Sequence, residues 1–435
     1  MALGGGSYTS QNKILPGAYI NFVSLASASA TLSDRGIATM PLEMDWGVEG
    51  EVFEVTNADF QKNSLKIFGY PYDHEKLKGL RDLFKNITTL YAYRLNSGGA
   101  KASNTYATAK FCGVRGNDIK TVIQANVDNE DLFDVKTVVG TTVVDTQTVA
   151  SAAELVANDF VTFNTEEALS LTAGMELVGG ANIEIDAAAH QAYLDKIESY
   201  SFNAMGVVTT EDTIKGLYAN FAKRMRDEVG VKFQLVVYNN AADYEGVINL
   251  KNKVSDTGAS EASLVYWVTG ITAGCAINKS NMNKVYDGEF AVDANYTQAQ
   301  LIKAIQAGEF VLHKVGSDIR VLEDINSLVT VSDTKGDVFK DNQTIRVIDQ
   351  IANDIAVLFN TKYLGVVPND AAGRISLWTD IVKHHEQMQD IRAIEDFTDE
   401  KVTVEQGINK KSVVVTDEVK IVGTMAELYM AVTVS

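Results

Sequence analysis

The segment that most constrains the fold is residues 205–238, where an amphipathic stretch separates two short apolar runs. The runs at 205–209 and 232–238 have the length and the composition of buried strands. Between them, apolar side chains recur every three or four residues after the capping-type residue Thr210, and Gly230 closes the stretch, which predicts a helix. A strand, a helix and a second strand in this order form a βαβ unit, so part of the main sheet is parallel.

Other elements are predicted on the same grounds. We expect helices after the capping residues Asp73 and Thr297, and two longer helices at 344–360 and 374–394. Short runs rich in β-branched or aromatic residues predict strands at 89–95, 264–269, 412–415, 420–422 and 427–434. In the last of these runs, apolar residues alternate with other residues at the period of two that a strand requires.

Residues 96–182 differ from the rest of the chain. The segment opens on Asn96-Ser97-Gly98-Gly99 and closes on Gly179-Gly180. Its main β-rich runs lie at 119–127, 135–139 and 142–149. We therefore expect an inserted all-β domain whose two ends lie close together in the parent fold. Because 435 residues are too many for one simple core, we expect several domains. With both helices and strands predicted, the expected fold class is α+β.

The formal net charge of −19 constrains the partners of the protein. A strongly acidic surface repels nucleic acid and anionic membranes, so we expect neither as a partner. No stretch approaches the roughly 18 consecutive apolar residues of a membrane span, so we expect no membrane insertion. The same charge makes copies of the chain repel one another, and any self-assembly must therefore depend on short-range contacts.

A search for motifs of catalysis or ligand binding finds none in the sequence. The phosphate loop GxxxxGK[ST], the dinucleotide motif GxGxxG and the nucleophile elbow GxSxG are all missing. His74-Glu75 and His385-Glu386 each begin a zinc motif HExxH, but Lys78 and Gln389 stand at the position of the second histidine. An acidic run at 126–131 lacks the glycine of a calcium-binding loop. We therefore expect no catalytic residue, no metal and no cofactor.

Five blocks of sequence resemble, in the same order, those of contractile phage tail sheath proteins of the kind found in Gram-positive phages, defective prophages and R-type bacteriocins. The blocks are LPGAYINF at 15–22 with RGIA at 35–38 and PL at 41–42, FCGVRGN at 111–117 with IKTV at 119–122, DYEGVI at 243–248, a stretch from DQI at 349–351 through YLG at 363–365 to Asn369, and LYMAV at 428–432. Each block alone is a weak signal, but five in the family's order, spread over essentially the whole chain, form a specific one.

The resemblance implies a structural subunit rather than an enzyme. Such subunits polymerise as stacked hexameric rings around an inner tail tube, and the sheath contracts to drive the tube through a target cell envelope. Further partners would be baseplate and tail-terminator proteins. The assembly would form in the bacterial cytoplasm and become extracellular after lysis, as part of a virion or a bacteriocin. Because the energy of contraction is stored during assembly, no nucleotide site is needed.

Applied to the whole chain, the resemblance implies a mixed α/β sheath core with an inserted outer domain and two terminal arms that exchange strands. The predicted segments are an N-terminal arm with a first strand at 1–25, the first part of the core at 26–95, the inserted β-rich outer domain at 96–182, an α/β core domain at 183–335, a C-terminal inner domain at 336–418 and a C-terminal arm at 419–435.

The resemblance also implies contacts between subunits, because each arm would complete the sheet edge of a neighbour. The residues expected to make this exchange are Tyr19, Ile20, Phe22, Val23, Leu428, Tyr429, Met430, Val432 and Val434. The residues expected in the receiving sheet are Val413, Val414 and Val415. A helix of the C-terminal domain contacts the tube in this family, and the basic residues that we assign to this contact are Arg374, Lys383, His384 and Arg392.

Alternatives to these expectations stay open. The terminal strands could fold back into their own subunit, and the helix that carries the basic residues could be an ordinary amphipathic helix. The sheath could belong to a non-phage contractile injection system. A tail tube or baseplate subunit is disfavoured by the length of the chain, since tube proteins are usually much smaller. An α/β enzyme, whose carboxylates would meet only in three dimensions, is the alternative from a different functional class.

Overall fold

The computed structural model of the protein describes residues 32–434. These residues form two compact units. The large unit comprises Asp34–Ala352 together with the C-terminal residues from Ile421 onward, and the small unit comprises Asn353–Lys420. The predicted N-terminal strand, with Tyr19, Ile20, Phe22 and Val23, lies outside the described residues.

The large unit contains most of the regular structure. Its strands are β1 (Ile37–Leu42), β2 (Val52–Thr56), β3 (Thr89–Arg94), β4 (Ala107–Ala109), β5 (Ile119–Ala125), β6 (Phe133–Val139), β7 (Thr142–Val149), β8 (Val161–Phe163), β9 (Thr172–Glu176), β10 (Ala204–Val207), β11 (Gln234–Tyr238), β12 (Val247–Leu250), β13 (Glu309–Phe310), β14 (Leu312–Val315) and β15 (Asp318–Val321). Its helices are α1 (Asn57–Phe68), α2 (Lys78–Phe84), α3 (Ala187–Ile197), α4 (Asp212–Arg224), α5 (Val265–Gly274) and α6 (Gln298–Gln306). A further helix, α7 (Asn342–Leu358), starts in this unit.

A seven-stranded sheet in the order β13-β12-β11-β10-β1-β3-β2 forms the centre of the large unit. Only its edge strand β2 runs antiparallel to its neighbour. The predicted βαβ unit is confirmed, because β10 and β11 pair in parallel, with Ala204 opposite Gln234 and Val207 opposite Val237. Buried strands of a parallel sheet need a cover on both faces, and helices provide it here.

The helices pack on the two faces of this sheet and form two apolar clusters. On one face, α1, α2 and α5 contribute Phe60, Leu83 and Trp267 to the core. On the other face, α3 and α4 contribute Tyr193 and Tyr218. All five side chains are almost completely buried, so the apolar residues of both clusters account for the main hydrophobic stabilisation of the unit.

The strand predicted at 264–269 is wrong, because these residues lie in a short helical turn and in α5. The helix is buried over nearly all of its length and so lacks the polar face that distinguishes an amphipathic helix from a buried strand. It also lies very close to another backbone segment. A Cβ atom added at Gly270 would sit 2.7 Å from the carbonyl oxygen of Leu83, so only glycine fits there.

The helix starts predicted at Asp73, Thr210 and Thr297 are correct to within a residue or two. The helix start predicted at Thr297 is confirmed, and Thr297 forms a capping box there, since its hydroxyl accepts from the backbone of Gln300 and the Gln300 side chain accepts in return. At the other two starts the cap differs from the prediction. His74, rather than Asp73, caps the turn before α2, and Glu211, rather than Thr210, precedes α4. Terminal turns of this kind are set by local contacts that a sequence pattern does not resolve.

Residues between β3 and α3 form two separate antiparallel sheets, one of β7, β6, β5 and β9 and one of β4 and β8. The two ends of this segment meet, because the backbone N–H of Ala181 donates to the carbonyl oxygen of Ala100 over 3.0 Å. Arg94, fully buried at the end of β3, donates to the carbonyl oxygen of Cys112 over 2.8 Å and to the side chain of Asn182 over 3.1 Å. One side chain thereby joins both ends of the segment to the main sheet.

The small unit contains α8 (Ala371–Asp390), β16 (Ile394–Glu395), β17 (Val402–Gln406) and β18 (Val413–Asp417). The helix predicted at 374–394 is thus present as α8, and the strand predicted at 412–415 is present as β18. The run predicted at 420–422 is a two-residue strand, Lys420–Ile421. Among residues 32–434, no helix is both long enough and apolar enough to cross a membrane.

Two buried ion pairs hold the first half of α7 in the large unit. The guanidinium of Arg226 donates to both carboxylate oxygens of Asp349, over 2.6 and 2.7 Å. One turn earlier in α7, Arg346 donates to the carboxylate of Asp324 over 2.7 Å, and both side chains are only 1% exposed. Removing one member of such a pair leaves an uncompensated charge in the protein interior.

The first prediction concerns this attachment of α7. Asp349→Ala leaves the buried guanidinium of Arg226 without its carboxylate and should destabilise the large unit by about 3–5 kcal/mol. The matched control is Glu198→Ala, which removes a half-exposed ion pair with Arg224 and should cost about 1 kcal/mol or less. Urea denaturation followed by circular dichroism measures both variants. Equal losses of stability in the two variants would contradict this role of the buried pair.

Candidate assembly surfaces

The C-terminal segment is the most exposed apolar part of the described chain. From Val422 to Val434 it has no helix or strand, so the strand predicted at 427–434 is not formed within the isolated chain. Its large apolar side chains range from 70% to 101% exposed and are Met425, Leu428, Tyr429, Met430, Val432 and Val434. An extended apolar segment with open backbone groups is a template for pairing with another chain.

This C-terminal arm, residues 425–434, leaves the large unit next to the first turn of α7. The Gln343 side chain donates to the carbonyl oxygen of Val422 over 3.0 Å, and it accepts from the backbone N–H of Thr424 over 3.2 Å. Further along the arm, Glu427 lies near the carboxyl group of Glu323. Burial, followed by the negative charges of Asp341 and Glu427, raises the pKa of Glu323.

The hairpin of β17 and β18 is the second surface that other chains could use. Its strands pair antiparallel, with Val402 opposite Asp417 and Gln406 opposite Val413. Among the described residues, β18 pairs only with β17, and a two-stranded sheet of this kind is marginal on its own. The side chains of Val414 and Val415 are 51% and 38% exposed. The three valines expected in the receiving sheet therefore lie on one strand with an unpaired edge.

Helix α8 brings together only part of the expected tube-facing set. Lys383 is exposed on the helix surface, whereas Arg374 donates to the backbone and the side chain of Asn369, each over 3.2 Å. Arg392 is exposed but lies beyond the end of α8, and its backbone φ of 62° is in the left-handed region. His384 is buried, so its assignment to an exposed tube-facing surface is corrected.

His384 and His385 instead connect α8 to two other segments of the small unit. The Nε2 atom of His384 lies 2.9 Å from a carboxylate oxygen of Asp354, and the Nε2 atom of His385 lies 2.8 Å from one of Asp417 in β18. The two Nδ1 atoms lie 3.3 Å apart. Burial of both rings against acids on separate segments fixes α8 relative to the hairpin. In the part of the chain that the structure describes, no group of three or more metal-ligating side chains occurs.

A groove of about 580 Å³ lies beside the hairpin, within the small unit. Its lining combines apolar side chains such as Tyr363, Leu364 and Val366 with the cationic side chains of Arg374 and Lys410. Leu364 and Val366 are 60% and 72% exposed. A groove of this composition suits an apolar segment that carries negative charge.

An exposed apolar arm and an open strand edge on one chain are features of a structural subunit that assembles with further chains. The comparisons with known proteins agree with this class. Models of four phage tail sheath domains match the chain: the domain III N-terminal region at 35–95, the beta-sandwich domain at 97–182, the central domain at 184–327 and the C-terminal domain at 334–435.

Individual relatives extend over the same length. The phage-like element PBSX protein XkdK of Bacillus subtilis is 31% identical over 100% of both chains. A sheath tail protein from Desulfitobacterium hafniense superposes with a TM-score of 0.80 at 35% identity, covering 93% of this chain and 100% of that one. The helical sheath of the anti-feeding prophage in its contracted state shares the fold, with a TM-score of 0.56 at 13% identity over 96% and 98% of the two chains. The chain belongs to the phage tail sheath protein family.

The second prediction tests the acidic surroundings of the arm. Because the pKa of Glu323 is raised, the folded protein binds this proton more readily than the unfolded chain, and ionisation of Glu323 opposes folding at neutral pH. Glu323→Gln should therefore raise the melting temperature at pH 7 by about 1–3 °C. The gain should be much smaller at about pH 4, where the carboxyl group is mostly protonated in both states.

Glu184→Gln, at an exposed position of the same unit, is the control and should leave the melting temperature unchanged at both pH values. Differential scanning calorimetry measures all variants. A gain from Glu323→Gln that is equally large at both pH values, or a loss at pH 7, would show that ionisation of Glu323 does not destabilise the folded protein.

Proposed function

We propose that this protein is the self-assembling subunit of a contractile sheath, built from stacked hexameric rings around an inner tube. Contraction of the sheath drives the tube through a target cell envelope. The observation that carries the proposal is the exposed apolar arm at the C-terminus of a chain that matches tail sheath domains from residue 35 to residue 435. The role is structural, with no catalytic step and no cofactor.

Assembly proceeds through strand exchange in this proposal. The arm lies against the open edge of β18 in an adjacent subunit, where main-chain hydrogen bonds give affinity and alternate side chains fix the register. Leu428, Met430, Val432 and Val434 form one side of the arm, and Tyr429 belongs to the other. Residues 425–435, fully extended, reach about 35–40 Å, a distance that spans a neighbouring domain. The N-terminal residues Tyr19, Ile20, Phe22 and Val23 complete a sheet of another neighbour in the same way.

The groove next to β18 is the proposed site for side chains of the incoming arm. The arm carries Glu427, whereas the groove contains Arg374 and Lys410, so the charges are complementary. Such a local match is needed because whole subunits, with a net charge of −19 each, repel one another. Burial of the exposed apolar side chains supplies the attraction at short range.

The remaining assignments follow the same proposal. The segment 96–182 lies on the outer surface of the sheath, and α8 lies inside, with Lys383 and Arg392 towards the tube. Residues 26–95 and 183–335 form the core, and 336–418 the inner domain. The further partners are baseplate and tail-terminator proteins. The sheath assembles in the bacterial cytoplasm and leaves with a virion, a bacteriocin or another contractile injection system.

The third prediction tests the exchange itself. Deletion of residues 427–435 should give a folded monomer that forms no cylinders, because the donated strand is missing. The matched control is Val127→Ser, which removes an exposed apolar side chain from a β-hairpin loop and should assemble normally. Size-exclusion chromatography, circular dichroism and electron microscopy together measure the outcome. A truncated chain that still assembles would exclude the exchange, and one that unfolds would show that the arm belongs to its own subunit.

The fourth prediction concerns the tube. Reversing the charge of two exposed basic residues, Lys383→Glu with Arg392→Glu, should reduce the amount of tube retained in the sheath while the cylinders still form. The control is Lys303→Glu, a charge reversal on the exposed side of α6. Co-sedimentation of sheath with tube measures retention. Normal extended tails in the double variant would remove α8 from the proposed tube contact.

A further inference from the structure

The C-terminal arm does not start from a flexible tether but from a fixed point beside α7. The carboxamide of Gln343 bonds to the two peptide groups on either side of Gly423, donating to one and accepting from the other. A residue of a neighbouring parallel strand bonds the backbone in the same pattern, with its N–H to one residue and its C=O to the residue two positions later. Gln343 thus acts on the chain as a single-residue strand partner.

The carboxamide itself is held in place by the rigid start of α7. Gln343 is only 2% exposed, although its two bonds are to an exposed stretch of backbone. The residue before it, Asn342, accepts from Gln234 of β11 over 2.7 Å and donates to Asp324 over 3.0 Å. The backbone N–H of Thr344 donates to Asp341 over 2.7 Å. These bonds connect the first turn of α7, and with it Gln343, to the central sheet.

We infer that Gln343 is the anchor that fixes where the C-terminal arm leaves the large unit. The destination of the arm in a neighbouring subunit rests on the proposed function, whereas the anchor exists in the free subunit as well. Since Lys420–Ile421 is already a paired strand, fixing the chain at Gly423 shortens the free segment from residues 422–435 to residues 425–435. A shorter free segment loses less conformational entropy when its end is captured, so assembly needs a lower subunit concentration.

The anchor also decides which part of the subunit moves with the arm. Because Gln343 belongs to the rigid start of α7, a displacement of the large unit is transmitted directly to Gly423 and then to the neighbour that holds the arm. Without the anchor, the segment after Ile421 would absorb the displacement. Gln343 is therefore a positioning residue for strand exchange rather than a member of the exchanged strand.

Hydrogen exchange in the free subunit tests the anchor without any assembly. The Thr424 amide should exchange more slowly than the Met425 amide in the unmodified protein, because only the first is bonded to Gln343. Gln343→Leu removes both bonds and should speed exchange at Thr424 by about tenfold. Gln343→Glu keeps an acceptor for Thr424 and should have a smaller effect. Equal rates at Thr424 and Met425 in the unmodified protein, or no change in Gln343→Leu, would overturn the anchor.

Assembly provides the second measurement. Gln343→Leu should raise the subunit concentration needed for cylinders by about two- to tenfold. Since a change in α7 can also disturb folding, Thr424→Pro removes the same N–H from the exposed side, and Met425→Pro is its matched control. Thr424→Pro should weaken assembly and Met425→Pro should do so less. Equal effects of the two prolines would overturn the anchor.

Failure of the anchor and failure of the proposed function give different results. If the unmodified protein forms no cylinders while Thr424 is protected as described, strand exchange is wrong and the anchor stands. The opposite result is also recognisable. If the unmodified protein assembles, the 427–435 deletion does not, and the hydrogen-exchange rate of the Thr424 amide is the same in Gln343→Leu, the anchor is wrong and strand exchange stands.

Discussion

The buried polar network at the start of α7 is the constraint on which the rest of the structure depends. Arg346 and Asp324 form an ion pair that is almost completely removed from solvent, and Arg226 with Asp349 forms another one helical turn further on. Pairs of this kind contribute little net stability but are costly to break, so they fix one arrangement of the elements that carry them. Here they fix the start of α7 to the segments that follow α4 and β15, and the bond from Gln234 to Asn342 joins it to the central sheet. Gln343 extends that fixed arrangement to the base of the C-terminal arm.

Assembly of this protein is a balance between long-range repulsion and short-range attraction. A net charge of −19 keeps subunits apart and favours the free chain at low concentration. In the strand exchange that we propose, the exposed apolar arm and the open edge of β18 act only at contact, so they favour association once two subunits are correctly placed. In this proposal, specificity comes from register, because a shift of one residue would turn the apolar side of the arm away from its neighbour.

The sequence predicts the local elements of this protein well and its long-range contacts poorly. The βαβ unit was recognisable because a helix with one apolar face separates two short apolar runs. The prediction of a strand at 264–269 was wrong because α5 is buried on nearly all sides, so its apolar residues do not recur at the three- to four-residue spacing of an amphipathic helix. The burial of His384 and the role of Gln343 depend on partners 30 and about 80 residues away, which no local pattern reveals. The period of two at 427–434 predicts a strand, but the described chain forms none there, and we propose that its partner is in another subunit.

The most direct test of the account is electron cryo-microscopy of the purified protein under conditions that favour assembly, at a resolution that traces residues 421–435. We expect hollow cylinders in which each chain is held at Gly423 by its own Gln343 and then crosses to pair with the β17–β18 hairpin of an adjacent subunit. Cylinders in which the C-terminal residues remain on their own chain, or particles that never polymerise, would contradict it.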